Sequence, residues 1–323
     1  MKNNTIKTTF ASAFEEDVYK GFTTFPKYLY SKYIYDKKGD KLFQDIMNLP
    51  EYYLTNCEYN ILEEHSAEIS ESFKGPEGFD LIELGAGDGK KTKVLLRYLA
   101  DQKIDFSYLP VDISLNVLEE LKVSLEEEIP QLQIQIQQGT YLKILEELAG
   151  YNARKKVIMM LGSNIGNLLH KDAIHFLRNI ASAMDSQDML FMGFDQKKDP
   201  KVILEAYNDA TGVTEAFNKN LLVRINSELQ GNFDVDSFLH WETYDPETGT
   251  AKSFLVSKKD QKITIGNLGL EIHFEAWETI HTEISQKYDD AVVNWLAREA
   301  GLIVVKSFTD SKAYYKNYIF QVL

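Results

Sequence analysis

Cysteine is nearly absent from this 323-residue chain: Cys57 stands alone. A single thiol excludes an intramolecular disulfide and any multi-cysteine metal or iron–sulfur site. The six histidines, His65, His170, His175, His240, His273 and His281, show no H-E-x-x-H or comparable ligand spacing. No metal is therefore expected, and they read as structural or surface residues. Basic residues are also scarce, 35 Lys+Arg against 49 Asp+Glu, for a net charge of −14. Phosphate backbones are gripped by Lys/Arg stripes, so this balance argues against a nucleic-acid partner. No apolar run approaches a membrane span, and Met1-Lys2-Asn3-Asn4-Thr5-Ile6-Lys7 leads into no signal-type apolar stretch. Internal repeats and low-complexity segments are missing too. What is plentiful is core material, 44% hydrophobic and 12% aromatic residues, which excludes a disordered composition. The expectation is a cytoplasmic globular protein with no membrane partner, built as one large domain with an insertion or as two intimate domains.

From Phe79 the chain alternates short apolar runs with helical patterns, the signature of stacked βαβ units. Strands are expected at Asp80–Gly85, Phe106–Asp112, Leu132–Gly139, Lys156–Leu161 and Asp188–Phe194, and helices at Lys90–Ala100, Leu115–Glu127 and Lys171–Met184. Lys201–Asp209 and Ala216–Leu229 also read as helices. They are followed by alternating segments punctuated at Asp245-Pro246-Glu247-Thr248-Gly249 and Gly266-Asn267-Leu268-Gly269. The βα rhythm resumes with helix Asp289–Ala300 and strands Leu302–Phe308 and Tyr318–Val322. The link between those last strands is too short for a helical crossover, so they should pair antiparallel. The fold class expected is α/β, a doubly wound, mostly parallel sheet like that of class I methyltransferases, with an inserted α+β substrate domain. The domain expectation is a cap over residues 1–70 contributing to the substrate site, a cofactor domain over 71–194 and 287–323, and an insertion over 195–286.

The sharpest local signal is Leu81-Ile82-Glu83-Leu84-Gly85-Ala86-Gly87-Asp88-Gly89-Lys90-Lys91-Thr92. An apolar strand enters a glycine turn and a helix opens directly after it, which lets backbone approach a ligand and offers unpaired N–H groups. Lys90 stands where the dinucleotide fingerprint needs its third glycine, and the P-loop spacing is absent. Glu83-Leu84-Gly85-Ala86-Gly87 instead looks like the E/D-x-G-x-G loop that holds S-adenosylmethionine, with Gly85 and Gly87 against the ligand. Asp112 ends the next strand, where an acid can accept from both ribose hydroxyls. Thr140 and Tyr141 follow the third strand, where this architecture places an adenine contact.

Five stretches in order resemble the histidine Nα-methyltransferase family of ergothioneine biosynthesis. They are Leu49-Pro50-Glu51-Tyr52-Tyr53-Leu54-Thr55, the 83–92 loop, Leu161-Gly162-Ser163-Asn164-Ile165-Gly166-Asn167, the segment 206–218, and Thr282-Glu283-Ile284-Ser285-Gln286-Lys287. The resemblance implies an S-adenosylmethionine-dependent enzyme that trimethylates the α-amine of L-histidine to its betaine, hercynine. It implies that Asn167 and Tyr207 hold the substrate carboxylate, that Tyr52, Glu283 and Ser285 surround the imidazole, and that Tyr35 and Gly162 lie near the reacting amine. Tyr35 and Asn167 are the catalytic candidates, and Lys91 and Asp112 match cofactor-side positions. The chain departs from the family at Thr140-Tyr141, where Asp-Phe is usual. It departs again at Ser253, which aligns with a methionine lining the imidazole pocket; a smaller polar residue is expected to widen that pocket or admit water. The rival readings are N-methylation of another amino acid or an indole derivative, and a non-catalytic S-adenosylmethionine-binding protein. The expected partner is a small amino acid, with a monomer as the working unit.

Overall fold

Phe79–Leu84 is buried at every residue, as a central parallel strand covered on both faces must be. In the computed structural model, which describes residues 10–151 and 154–323, this strand lies inside an eight-stranded sheet. The order across the sheet is Leu302–Thr309, Tyr315–Val322, Met189–Asp195, Lys155–Met160, Phe79–Leu84, Phe106–Asp112 and Gln133–Ile134, with Gln137–Gln138 also pairing to Phe106–Asp112. Strands from Met189–Asp195 to the Gln133 edge are parallel, while Tyr315–Val322 runs antiparallel to both its neighbours. This is the class I methyltransferase arrangement, closed by the expected antiparallel hairpin.

One face of the sheet is covered by helices His170–Ser182 and Asp290–Glu299, whose Leu177, Ile180, Val293 and Leu296 join Ile82, Ile158 and Phe320 in a buried cluster. Helix Tyr53–Phe73 covers strands from the other side: Ile61, Leu62, Ile69 and Phe73 are fully buried. The Phe73 ring meets Phe79 and Phe191 edge-on, at 5.8 and 5.6 Å. The expected strand Leu132–Gly139 is two short pairings instead. It lies at the sheet edge, with a partner on one side only, and its ladder lapses at Gln135 and Ile136.

Contacts divide the chain into two units. One runs to Tyr52 and resumes over Asp199–Ser285; the other comprises Tyr53–Lys198 and Gln286–Leu323. Because helix Tyr53–Phe73 buries its apolar face on the sheet, the first boundary falls at Tyr52 rather than near residue 70. The first unit holds a four-stranded sheet ordered Lys27–Tyr28, Thr279–Gln286, Thr250–Ser257 and Phe238–Asp245, and a separate hairpin, Gln261–Ile265 with Leu270–Phe274. The turn expected at 245–249 joins the antiparallel pair, with Asp245 accepting from Glu247 N and the Thr248 hydroxyl, both at 2.9 Å. Helices Ala13–Thr23, Lys37–Met47, Pro200–Tyr207 and Val213–Leu229 complete the unit. Ser12 and Asp36 cap the first two by accepting backbone N–H bonds, which satisfies donors that a helix start leaves open.

Candidate active site

The glycine turn depends on its glycines. Gly85 has φ +77°, and a Cβ there would lie 2.4 Å from the Tyr141 hydroxyl. Gly87 has φ +53°, and no atom lies within 4 Å of where its Cβ would project, so its backbone borders open space. Asp112 ties this turn to the next strand end: one carboxylate oxygen accepts from Gly87 N at 3.4 Å, the other from Ser114 N at 3.0 Å. Thr140 caps helix Tyr141–Leu148, its hydroxyl accepting from Lys143 N at 3.4 Å. Desolvation, and then the charges of Asp112 and Glu83, push the Tyr141 hydroxyl up to about 12. Gly85, Gly87, Asp112 and Tyr141 are thus gathered at the carboxyl ends of three parallel strands.

Beneath the turn, Glu83 is fully buried and accepts from the Thr92 hydroxyl at 2.6 Å and from the Tyr108 hydroxyl. Desolvation raises its carboxyl from 4.5 to about 7, against the opposing pull of those two donors. A raised native value means that the folded chain keeps a proton the unfolded chain releases. The associated stability is fully present below about pH 4.5 and is lost as the pH climbs to about 7. Glu83→Gln is expected to remove that slope, worth up to about 3 kcal/mol across the interval. Denaturant melts at pH 5 and 7 check it: an unchanged difference between the two pH values would mean that Glu83 does not titrate there.

The second loop of this unit follows strand Lys155–Met160. Gly162 and Ser163 both take positive φ, +84° and +56°. The Ser163 hydroxyl accepts from Asp195 N at 3.0 Å, and the Tyr288 hydroxyl donates to the Ile165 carbonyl at 3.1 Å. These bonds fix the short helix Asn164–Asn167, at whose end the exposed Asn167 amide makes no hydrogen bond among the described residues. Lys91 reaches this loop as well, since a Cβ on Gly162 would lie 3.4 Å from its ammonium.

In the other unit, Tyr35, Tyr52, Tyr207, Glu283 and Ser285 converge. Tyr35 meets Phe43 and Phe217 edge-on at 5.6 and 5.4 Å, Phe43 leads to Tyr52, and the Tyr52 ring meets Tyr207 at 6.4 Å. The Tyr207 hydroxyl and Ser285 Oγ are hydrogen-bonded at 2.7 Å. Although 37% of Tyr35 is accessible, its hydroxyl lies at the enclosed end. Desolvation, then the Glu283 carboxylate, then Tyr52 and Tyr207 push it well above the usual phenol range. His240, read from sequence only as structural or surface, has its Nε2 2.9 Å from the Tyr207 carbonyl, and burial lowers its basicity, so the neutral ring donates.

Ser253 lies on strand Thr250–Ser257. It is buried, and its hydroxyl donates to Glu242 at 2.6 Å, the residue facing it across the strand pair. A neighbouring carboxylate takes up the polar side chain. Glu242 was not anticipated, because it lies eleven residues away and only strand register brings it opposite.

The profile of the family described as histidine-specific, SAM-dependent methyltransferases matches residues 14–322. The chain belongs to that family. A histidine N-alpha-methyltransferase from Mycolicibacterium smegmatis is 36% identical over 302 residues, covering 93% of this chain and 92% of that one. One of the same name from Mycobacterium tuberculosis is 34% identical over 298 residues, covering 92% and 91%. An L-tryptophan methyltransferase from Psilocybe serbica is 28% identical over 309 residues, covering 88% and 86%. The protein is therefore an S-adenosylmethionine-dependent methyltransferase. Its residues fit that cofactor: the glycine turn leaves open space at Gly87, and Asp112 offers a carboxylate beside it. No helix among the described residues is long and apolar enough to cross a membrane.

Proposed function

We propose that this methyltransferase acts on the α-amine of L-histidine and carries it through three rounds to the trimethylated betaine. The observation that carries the reading is the polar pair Glu283 and Ser285 beside three tyrosines, with Ser285 bonded to Tyr207. A carboxylate and a hydroxyl two residues apart on one strand face suit the two nitrogens of an imidazole. Family membership and relatives named for histidine methylation support the same substrate. S-adenosylmethionine supplies a methyl group already activated on a sulfonium, so alignment is the main demand on the protein. Gly85, Gly87, Lys91, Asp112, Thr140 and Tyr141 are assigned to the cofactor. Asn167 and Tyr207 are assigned to the substrate carboxylate, Tyr52, Glu283 and Ser285 to the imidazole, and Gly162 and Tyr35 to the neighbourhood of the amine. Aromatic walls also tolerate an amine that loses its N–H donors as methyls accumulate, because a quaternary ammonium is attracted to ring faces.

Tyr35 remains a neutral phenol over the physiological range, since its ionisation is raised. It orients the amine by hydrogen bonding, and the ammonium proton is released to water. Tyr35→Phe is expected to lower kcat by about ten- to a hundredfold, the scale of one positioning bond. The shape of the pH profile from 6 to 9 should not change. A limb present in the wild type and missing in the variant would make Tyr35 the base instead. The reading as a whole is tested by measuring S-adenosylhomocysteine release across an amino acid panel, with mass spectrometry of the product. Histidine should lead and end trimethylated; leadership by another amino acid would reassign the substrate.

A further inference from the structure

Glu58 is the buried charge that the reading above leaves unused. It sits in helix Tyr53–Phe73 with its side chain fully buried, and every partner it has comes from a distant part of the sequence. Oε2 accepts from Lys91 Nζ at 2.5 Å and from Gly162 N at 2.7 Å. Oε1 accepts from the Tyr315 hydroxyl at 3.0 Å and from Asn317 Nδ2 at 2.9 Å. All four neighbours donate, the surroundings that an acceptor-only carboxylate requires. Gly193 leaves the space it needs, since a Cβ there would lie 2.2 Å from Oε1. Lys91 and Gly162 follow adjacent parallel strands, Phe79–Leu84 and Lys155–Met160, at the carboxyl ends where doubly wound sheets take their ligands.

We propose that Glu58 sets the charge of the cofactor site, cancelling the Lys91 ammonium so that a cationic sulfonium is not disfavoured against its neutral thioether product. An uncompensated ammonium on this loop would oppose a ligand of the same sign. The Glu58–Lys91 pair is neutral, yet it leaves the lysine free to donate two further hydrogen bonds. S-adenosylmethionine and S-adenosylhomocysteine differ by one methyl group and one positive charge. The ratio of their dissociation constants therefore reports site charge, whereas general loosening weakens both alike. The inference rests on the cofactor-side assignment of Lys91 and is independent of the amino acid substrate.

The test is calorimetric binding of both ligands to the full-length wild type, Glu58→Gln, Lys91→Met and the double variant. Glu58→Gln leaves a net positive charge and should shift the ratio against S-adenosylmethionine by about tenfold. Lys91→Met leaves a net negative charge and should shift it the other way; the double variant should return close to wild type. A ratio that stays constant across the series, or moves in the same direction in both single variants, overturns the proposal. Should circular dichroism show Glu58→Gln unfolded, Lys91→Met decides alone, because that side chain is 20% exposed: a ratio unchanged or moved against S-adenosylmethionine overturns it. A wild type that binds neither ligand would overturn the cofactor assignment and this inference together.

Discussion

Histamine is expected to be methylated at least about a thousandfold less efficiently than histidine, read as kcat/KM at saturating cofactor. The two amines differ by the carboxylate, and a site built to hydrogen-bond a group penalises the analogue that lacks it, because its own polar groups are left unpaired. Asn167 is the donor proposed for that group. Its amide is exposed and makes no hydrogen bond among the described residues, yet the backbone that carries it is anchored through Ser163 to Asp195 and through Ile165 to Tyr288. A donor on an anchored loop loses little freedom when it engages, which is what alignment requires. An amide also donates to a carboxylate without adding a positive charge that would oppose a sulfonium. Asn167→Ala should cut kcat/KM for histidine by about ten- to a hundredfold. It should leave histamine turnover and S-adenosylhomocysteine affinity nearly unchanged. Equal losses on both amines would show that Asn167 supports the loop and does not read the carboxylate. Tyr207→Phe is a less clean probe, since its hydroxyl is shared with Ser285.

Sequence reading succeeded where the physical signal is local. Phe106–Asp112 is legible to the residue because an apolar run ends there at an acid and a helix cap, and the glycine turn is legible because glycine takes its positive-φ backbone most readily. Helix Tyr141–Leu148 was missed although its signal is present. Thr140 is a capping residue, and Tyr141, Ile144, Leu145 and Leu148 recur at helical spacing. The edge strand failed for another reason: alternation of Leu132, Ile134 and Ile136 predicts a continuous pleat, but only burial on a neighbour enforces one. Exposed Glu128, at the end of helix Leu115–Glu128, likewise takes its partners from another helix: Lys93 and Arg97 donate to it and lower its carboxyl to about 2. The bonds that Glu58, Glu242 and His240 make are not legible in the sequence. Their partners lie at Lys91, Ser253 and Tyr207, and no period or motif in one chain links positions that only the assembled fold brings together.

Histidine is expected to be preferred over tryptophan by about a hundredfold or more in kcat/KM, and Glu283→Ala should erode most of that preference. Glu283 and Ser285 alternate onto one face of strand Thr279–Gln286, and the Glu283 charge is what the Tyr35 hydroxyl senses after desolvation. An imidazole presents two nitrogens to such a pair. An indole presents one N–H and a larger apolar surface, so it uses only part of the polar pair and never offers the carboxylate the positive charge that a protonated imidazole can. Ser253 had suggested the opposite tendency, because a serine in place of methionine implies spare volume for a larger ring. That argument weakens once the serine hydroxyl is seen bonded to Glu242. Two buried polar groups stand there, and an apolar ring gains nothing from meeting them. Polarity should therefore decide the comparison over volume. Removing Glu283 should lower histidine turnover by about a hundredfold while affecting tryptophan far less, since the imidazole is the ring that fits both members of the polar pair. The comparison requires both amino acids on both proteins, with S-adenosylhomocysteine affinity as the control for an intact cofactor site. A wild type that favours tryptophan would reverse the assignment and make an indole amino acid the substrate.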